Sequence, residues 1–170
     1  DFNLLPNQFV LKCTHDSGSA IGCRDKSKFS VEAATAKIKN HLKMNMYFRK
    51  REWHYKDICP KVLVEEYVEL YVDPTSQSSI TTCRVHCFEG RPEYLEIDVQ
   101  DAQGNDYSNM YDTQWVLQPF RVDLKENSPS ALAAPKQLQE IIRLSEKLCF
   151  SYGYSRVDFL LSQDHVYFSE

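Results

Sequence analysis

The stretch Phe9-Val10-Leu11-Lys12-Cys13-Thr14-His15-Asp16-Ser17-Gly18-Ser19-Ala20-Ile21-Gly22 sets an apolar run, one lysine and a loop of small residues in that order. Phe9 to Leu11 have the apolar, β-favouring character of a buried strand. The loop beyond carries little side-chain bulk, so phosphate oxygens could approach its backbone N–H groups closely, and Lys12 adds a point charge at the strand's end. The pattern matches neither the Gly-x-x-x-x-Gly-Lys-Ser/Thr loop nor the Gly-x-Gly-x-x-Gly turn, and a strand that simply turns is the competing reading. With so little packing offered by Ser17, Gly18, Ser19 and Gly22, residues 15 to 27 are expected to stay mobile until nucleotide binds.

The chain has 170 residues, 42% hydrophobic and 26% charged, enough for a well-buried core of ordinary globular composition. Asp1 in place of Met, and Glu170 directly after Val166-Tyr167-Phe168, read as cuts from a longer protein. No apolar run approaches the roughly 20 residues needed to cross a bilayer, and a soluble, cytoplasmic setting is expected. A net charge of −4 argues against broad nucleic-acid or anionic-membrane binding and favours a small partner. The six cysteines, at 13, 23, 59, 83, 87 and 149, are too scattered for a disulfide framework and read as reduced thiols. In Cys83-Arg84-Val85-His86-Cys87 a strand would turn both cysteines to one side and His86 to the other, which speaks against zinc.

Further along, Ser30 caps a helix whose apolar positions Val31, Ala34, Ile38 and Leu42 recur at three- and four-residue steps, running to about Met46. Its other face carries Lys37, Lys39 and Lys43, followed by Arg49-Lys50-Arg51, and reads as solvated. Val62-Leu63-Val64-Glu65-Glu66-Tyr67-Val68 reads as a strand buried on both faces. Asp73 to Ser79 is a polar loop. Strands over Thr82 to Glu89 and Glu93 to Val99, joined at Gly90-Arg91-Pro92, form a hairpin. Tyr111 to Val122 mixes aromatics with Pro119 and yields no assignable period. Pro135 opens a helix with Leu138, Ile141, Ile142 and Leu148 inward. A second hairpin pairs Arg156 to Leu161 with His165 to Glu170. That hairpin could bring Asp158 and Glu170 side by side, an oxygen-rich pair suited to Mg²⁺ carrying ATP phosphates; the competing reading has each acid facing water.

The order strand-Lys, small-residue loop, Val-Glu-Glu-Tyr-Val, helix, Arg-Val-Asp and Tyr-Phe-x-Glu resembles the ATP-grasp superfamily. More closely, Phe9-Val10-Leu11-Lys12, His15-Asp16-Ser17-Gly18, Arg51-Glu52-Trp53-His54-Tyr55, Cys87-Phe88-Glu89-Gly90-Arg91-Pro92, Tyr111-Asp112-x-x-Trp115 and Arg156-Val157-Asp158 resemble the TupA-like ATP-grasp proteins of teichuronopeptide and capsular polysaccharide biosynthesis in bacteria. The resemblance spans nearly the whole chain. It implies an α+β nucleotide-binding fold of antiparallel sheets with flanking helices, two small lobes around an ATP cleft. The first lobe would be residues 1–68 and the second, with the metal-site hairpin, 69–170.

By the same resemblance Lys12 contacts a phosphate, and the backbone of Ser17, Gly18 and Ser19 covers the phosphates as a lid. Glu65, Glu66, Tyr67 and Val68 form the hinge that reads adenine. Asp158 and Glu170 are two magnesium ligands, a third falling past Glu170. The implied activity is an ATP- and Mg²⁺-dependent ligase that phosphorylates a carboxylate and lets an amine attack the acyl phosphate, with Lys12, Asp158 and Glu170 as its catalytic residues. Its substrates would be a small carboxylate and an amine, a sugar acid or amino acid on a growing polymer. Arg84, Arg91 and Arg156 are candidates for steering such an anion, or ordinary partners of Asp and Glu. A kinase acting on a hydroxyl and a non-catalytic nucleotide-binding scaffold remain alternatives. No Asp-x-Asp motif supports glycosyl transfer from a sugar nucleotide.

Overall fold

A computed structural model of the chain describes residues 2–122, 124–151 and 153–170, so that Asp1, at the head of the first expected lobe, lies outside the described residues. The chain divides into two units, Asp1–Val68 and Glu69–Glu170. Secondary structure is mixed, with two all-antiparallel sheets and three α-helices among the described residues. None of those helices is long and apolar enough to cross a membrane.

The first unit is built on a three-stranded sheet. Its central strand β1, Phe9–Cys13, is flanked by β2, Ile21–Cys23, and β3, Val62–Glu66. Phe9, Leu11 and Cys13 alternate onto the face covered by helix α1, Val31–Leu42, whose Ala34 and Ile38 are buried. Ser30 caps α1 as its sequence requires, its hydroxyl oxygen accepting from the Ala33 N–H at 3.2 Å. The helix stops at Leu42 rather than Met46, and after Asn45 a separate short helix α2, Met46–Lys50, begins. Strand β3 corrects one expectation: all five of its residues are exposed. Its apolar run lies at an edge of the sheet, paired only with β1. There Leu11, Val62, Val64 and Ile38 border an open apolar hollow of about 380 Å³.

The second unit carries a five-stranded sheet in the order β6-β5-β4-β7-β8. The strands are β4, Ser79–Phe88, β5, Arg91–Gln100, β6, Asp106–Asp112, β7, Tyr154–Leu161, and β8, Val166–Phe168. Both sequence-read hairpins are present. The β4–β5 turn needs positive φ at Glu89 (48°) and Gly90 (77°), the backbone that a tight hairpin demands and glycine supplies without strain. Helix α3, Leu138–Leu148, covers one face. Cys83, Val85, Leu95, Ile97, Val157, Phe159 and Leu161 pack there with Ile141, all nearly or wholly buried. The cysteines among the described residues are free thiols, and burial first of all pushes those of Cys83 and Cys87 up to about 12.

The unassigned stretch after Tyr111 is ordered by side-chain contacts. Trp115 stacks on Tyr111 with ring centroids 4.3 Å apart and donates its indole N–H to the Leu132 carbonyl. Asp112 caps the backbone N–H groups of Gln114 and Val116. The polar loop after Tyr71 is likewise fixed. Asp73, fully buried, accepts from the N–H groups of Thr75, Ser76 and Ala133.

Candidate functional site

In the first unit the small-residue loop is a hairpin connection between β1 and β2. Packing is not scarce within it, as the composition had suggested: His15, Asp16 and Ser19 are all buried. Ser19 Oγ accepts from the Cys13 N–H at 2.8 Å and donates to Asp16 Oδ1 at 2.6 Å. The second oxygen of Asp16 takes a short hydrogen bond from His41 Nδ1, and His15 Nε2 donates to the His41 carbonyl at 3.1 Å. The loop is therefore tied to the last turn of α1. With its hydroxyl committed to the fold, Ser19 has only its backbone to offer a ligand. Ser17 and Gly18 are exposed at the tip, and at Gly18 (φ 92°) even an added Cβ would meet nothing within 4 Å. Replacing Ser19 with Ala strands the Cys13 N–H and is expected to cost about 1–3 kcal/mol, whereas Ser17→Ala at the open tip should stay within about 0.5 kcal/mol. Urea unfolding of the two variants checks this.

Lys12 stands in register with Leu63, and its ammonium meets the diagonal neighbour Glu65 at 2.7 Å on the sheet face away from α1. Both side chains are about two-fifths exposed. Glu65 therefore touches the lysine that the resemblance sets against phosphate. Val64, Glu65, Glu66 and Tyr67 line an open depression with Pro6, Asn7 and Gln8, so three of the four residues expected to form a hinge share one hollow. Tyr67 also engages Arg24, whose guanidinium hydrogen-bonds the phenol oxygen and lies 5.7 Å from the ring centroid. Val68 follows β3 outside the sheet.

In the second unit the sheet face opposite α3 is ionic. Arg84 of β4 lies in register with Glu96 on β5 and Asp158 on β7. It donates to Glu96 Oε1 at 2.9 Å and to Asp98 Oδ2 at 3.0 Å, with Nε 3.7 Å from Asp158 Oδ2. His86 joins Glu96 at 3.1 Å and Tyr154 at 2.8 Å, and Lys125 reaches Asp98 at 2.9 Å. The His86 hydrogen bond, ahead of the opposing effect of burial and helped by Arg84, holds Glu96 below the usual carboxylate range. For Asp98 burial is the largest influence and acts upward, but the hydrogen bonds from Arg84 and Lys125 prevail and leave it low.

Asp158 is 4% exposed, which overturns the reading of an acid facing water. Arg156 grips both of its oxygens, at 2.7 and 2.8 Å. The Asp158 N–H donates to the Glu170 carbonyl at 2.7 Å, and the Ser169 N–H donates to the Asp158 carbonyl at 2.8 Å. The chain after β8 therefore runs beside Asp158. The Glu170 carboxylate, largely exposed, lies 3.7 Å from Arg156. Lys12 and the hinge thus belong to the first unit, and Asp158 and Glu170 to the second. Arg91 has no part in the ionic row. The model of one protein family, TupA-like ATPgrasp, matches residues 1–170. The chain belongs to the TupA-like ATPgrasp family. No curated protein matches it.

For a TupA-like ATPgrasp protein the relevant groups are Mg²⁺ and ATP, and the donor chemistry fits them. Asp158 and Glu170 offer hard carboxylate oxygens of the kind Mg²⁺ prefers. Among the described residues no group of three or more His, Cys, Asp and Glu could hold a metal ion. A magnesium ion on this carboxylate pair would take its remaining oxygens from phosphate and water, as that ion commonly does. Arg84 and Arg156 are the partners of Asp and Glu that the sequence offered as one of their two readings, whereas the links of His86 and Lys125 into the row went unread, because the strand register that makes one network leaves no mark in the sequence.

Proposed function

We propose that the chain is the nucleotide-binding part of an ATP-dependent carboxylate-amine ligase of polysaccharide or cell-envelope polymer biosynthesis, working through an acyl phosphate. The observation that carries this reading is the pairing of Asp158 with the strand end bearing Glu170, two acids in one place with Arg156 reaching both. When bound, Mg-ATP supplies the phosphoryl group and the counter-charge that make a carboxylate attackable. The protein's own part is to present charge. Asp158 and Glu170 hold the cation, Lys12 sits against a phosphate, and the Ser17–Ser19 backbone offers N–H groups to the same anion. Glu65, Glu66, Tyr67 and Val68 read the base. Before nucleotide arrives Glu65 keeps the Lys12 ammonium neutralised, and Arg156 does the same for Asp158. Releasing Lys12 costs little, because exposed pairs of this kind contribute about 0–1 kcal/mol.

Lys12→Ala should accordingly weaken Mg-ATP binding by about tenfold or more while leaving the melting temperature nearly unchanged. Calorimetry on the full-length protein and this variant is the measurement, and equal affinities would remove Lys12 from the site. For the reaction itself, the full-length protein is incubated with ATP and candidate sugar acids and amino acids, and products are read by mass spectrometry. ADP, phosphate and an amide are expected. A stable phosphorylated hydroxyl product would overturn the ligase assignment in favour of phosphoryl transfer.

A further inference from the structure

Net charge conceals an uneven distribution. Residues 1–68 hold twelve Lys and Arg against eight Asp and Glu, and residues 69–170 hold eight against sixteen. The positive excess concentrates between residues 43 and 56, where Lys43, Arg49, Lys50, Arg51 and Lys56 face a single acid, Glu52. All five cations are exposed.

The same segment displays large apolar side chains outward. Buried Met46 anchors α2, yet Phe48 on that helix is 70% exposed, and Trp53 on the following 3-10 turn (Trp53–Tyr55) is 68% exposed. Tyr47 links them, its ring centroid 5.2 Å from Phe48 and 5.4 Å from Trp53. Arg51 closes α2 in the left-handed region (φ 60°), its N–H bonded to the Tyr47 carbonyl at 2.8 Å, so the turn that exposes the rings is a fixed one. Lys56 lies 4.4 Å over the Trp53 ring.

We infer that Phe48, Trp53 and the surrounding cations form a docking patch for an anionic lipid surface. Protruding apolar rings surrounded by Lys and Arg suit shallow insertion below anionic headgroups. A nucleic-acid reading of the same patch fits less well. A base-stacking platform needs an open ring face, and Lys56 already covers one face of Trp53 while Tyr47 meets the ring edge-on. The exposed apolar side chains of the second unit lack this partnership, because that unit is acidic. The total charge of −4 therefore does not exclude an anionic membrane at this basic patch. The patch stands apart from the proposed ligase chemistry.

The test is sedimentation of the full chain with phosphatidylcholine vesicles, with and without phosphatidylglycerol. Binding is expected only with the anionic lipid and should fall as salt is raised. Trp53 emission should shift to the blue on binding, a change absent in Trp53→Phe. Arg49→Glu/Lys50→Glu and, separately, Phe48→Ser/Trp53→Ser should each weaken partitioning by more than about tenfold. Their circular dichroism and melting should match the parent, since these side chains are exposed. No binding to anionic vesicles, binding by both double variants equal to the parent's, or tighter binding to a single-stranded oligonucleotide than to the vesicles would overturn the proposal.

Discussion

Replacing Arg84 with Met is expected to destabilise the second unit by about 3–5 kcal/mol at neutral pH, the usual cost of withdrawing one member from a buried ionic cluster. Its guanidinium serves Glu96, Asp98 and Asp158 together, and each of these acids is nearly buried. The pH dependence should also flatten. In the parent protein Glu96 and Asp98 are held low. Their contribution is therefore complete above the ordinary carboxylate range and fades as pH falls through their depressed values. Without Arg84, burial at Asp98 is opposed chiefly by Lys125 and Ser108, so that carboxyl should rise, while the His86 hydrogen bond still holds Glu96 down; the variant should therefore lose less stability than the parent as pH falls through the carboxylate range. Urea unfolding at several pH values distinguishes the two slopes. A variant that keeps the parent's slope would show that Lys125, His86 and Arg156 suffice to neutralise the row.

The second large effect concerns turnover. Asp158→Asn preserves shape but removes the charge proposed to hold the cation, and product formation by the full-length enzyme should fall by about 10²–10³-fold, the scale seen when one charge-stabilising group is lost. Because Asp158 is also gripped by Arg156 and approached by Arg84, lost activity alone would be ambiguous. Glu170→Gln resolves this. Its side chain is 70% exposed and lies outside the buried row, so a comparable loss there, with unchanged melting, reports on the site and not on folding. Full activity in either variant would remove that carboxylate from its proposed role.

Local signals were legible wherever they act over a few residues. Ser30 and the three- and four-residue spacing located α1, and Gly90 located the β4–β5 turn. The strand over Val62–Glu66 was also readable, but its exposure was not. An apolar run looks the same at a sheet edge as in the middle, and only the pairing pattern tells them apart. The tie between Asp16 and His41 spans 25 residues and meets at the end of a helix, so no sequence period announces it. After Tyr111, order comes from ring stacking and from Asp112 bonding to nearby backbone, neither of which leaves a repeat to detect. For the carboxylate pair, the hairpin was readable and brought Asp158 beside the chain end carrying Glu170. Arg156 stands two residues from Asp158 on the same strand, but that Arg84 approaches it too became visible only with the register of β4 against β7.

Strand β4 sends Cys83, Val85 and Cys87 toward α3 and Arg84 and His86 the other way, with bulges between Ile80 and Thr82 and between His86 and Cys87. A slip of one position along either neighbour would exchange the two sets. The guanidinium would then enter an apolar layer while thiols and a valine faced Glu96, Asp98 and Asp158. Such an arrangement strips Glu96 of both Arg84 and His86, leaves Asp98 and Asp158 with Lys125 and Arg156 alone, and buries one cation without an acid, so it lies well above the native pairing in free energy. An ionic face that adds little net stability thus acts as a proofreading element during assembly of the sheet, rejecting misaligned ladders that hydrophobic burial alone would tolerate.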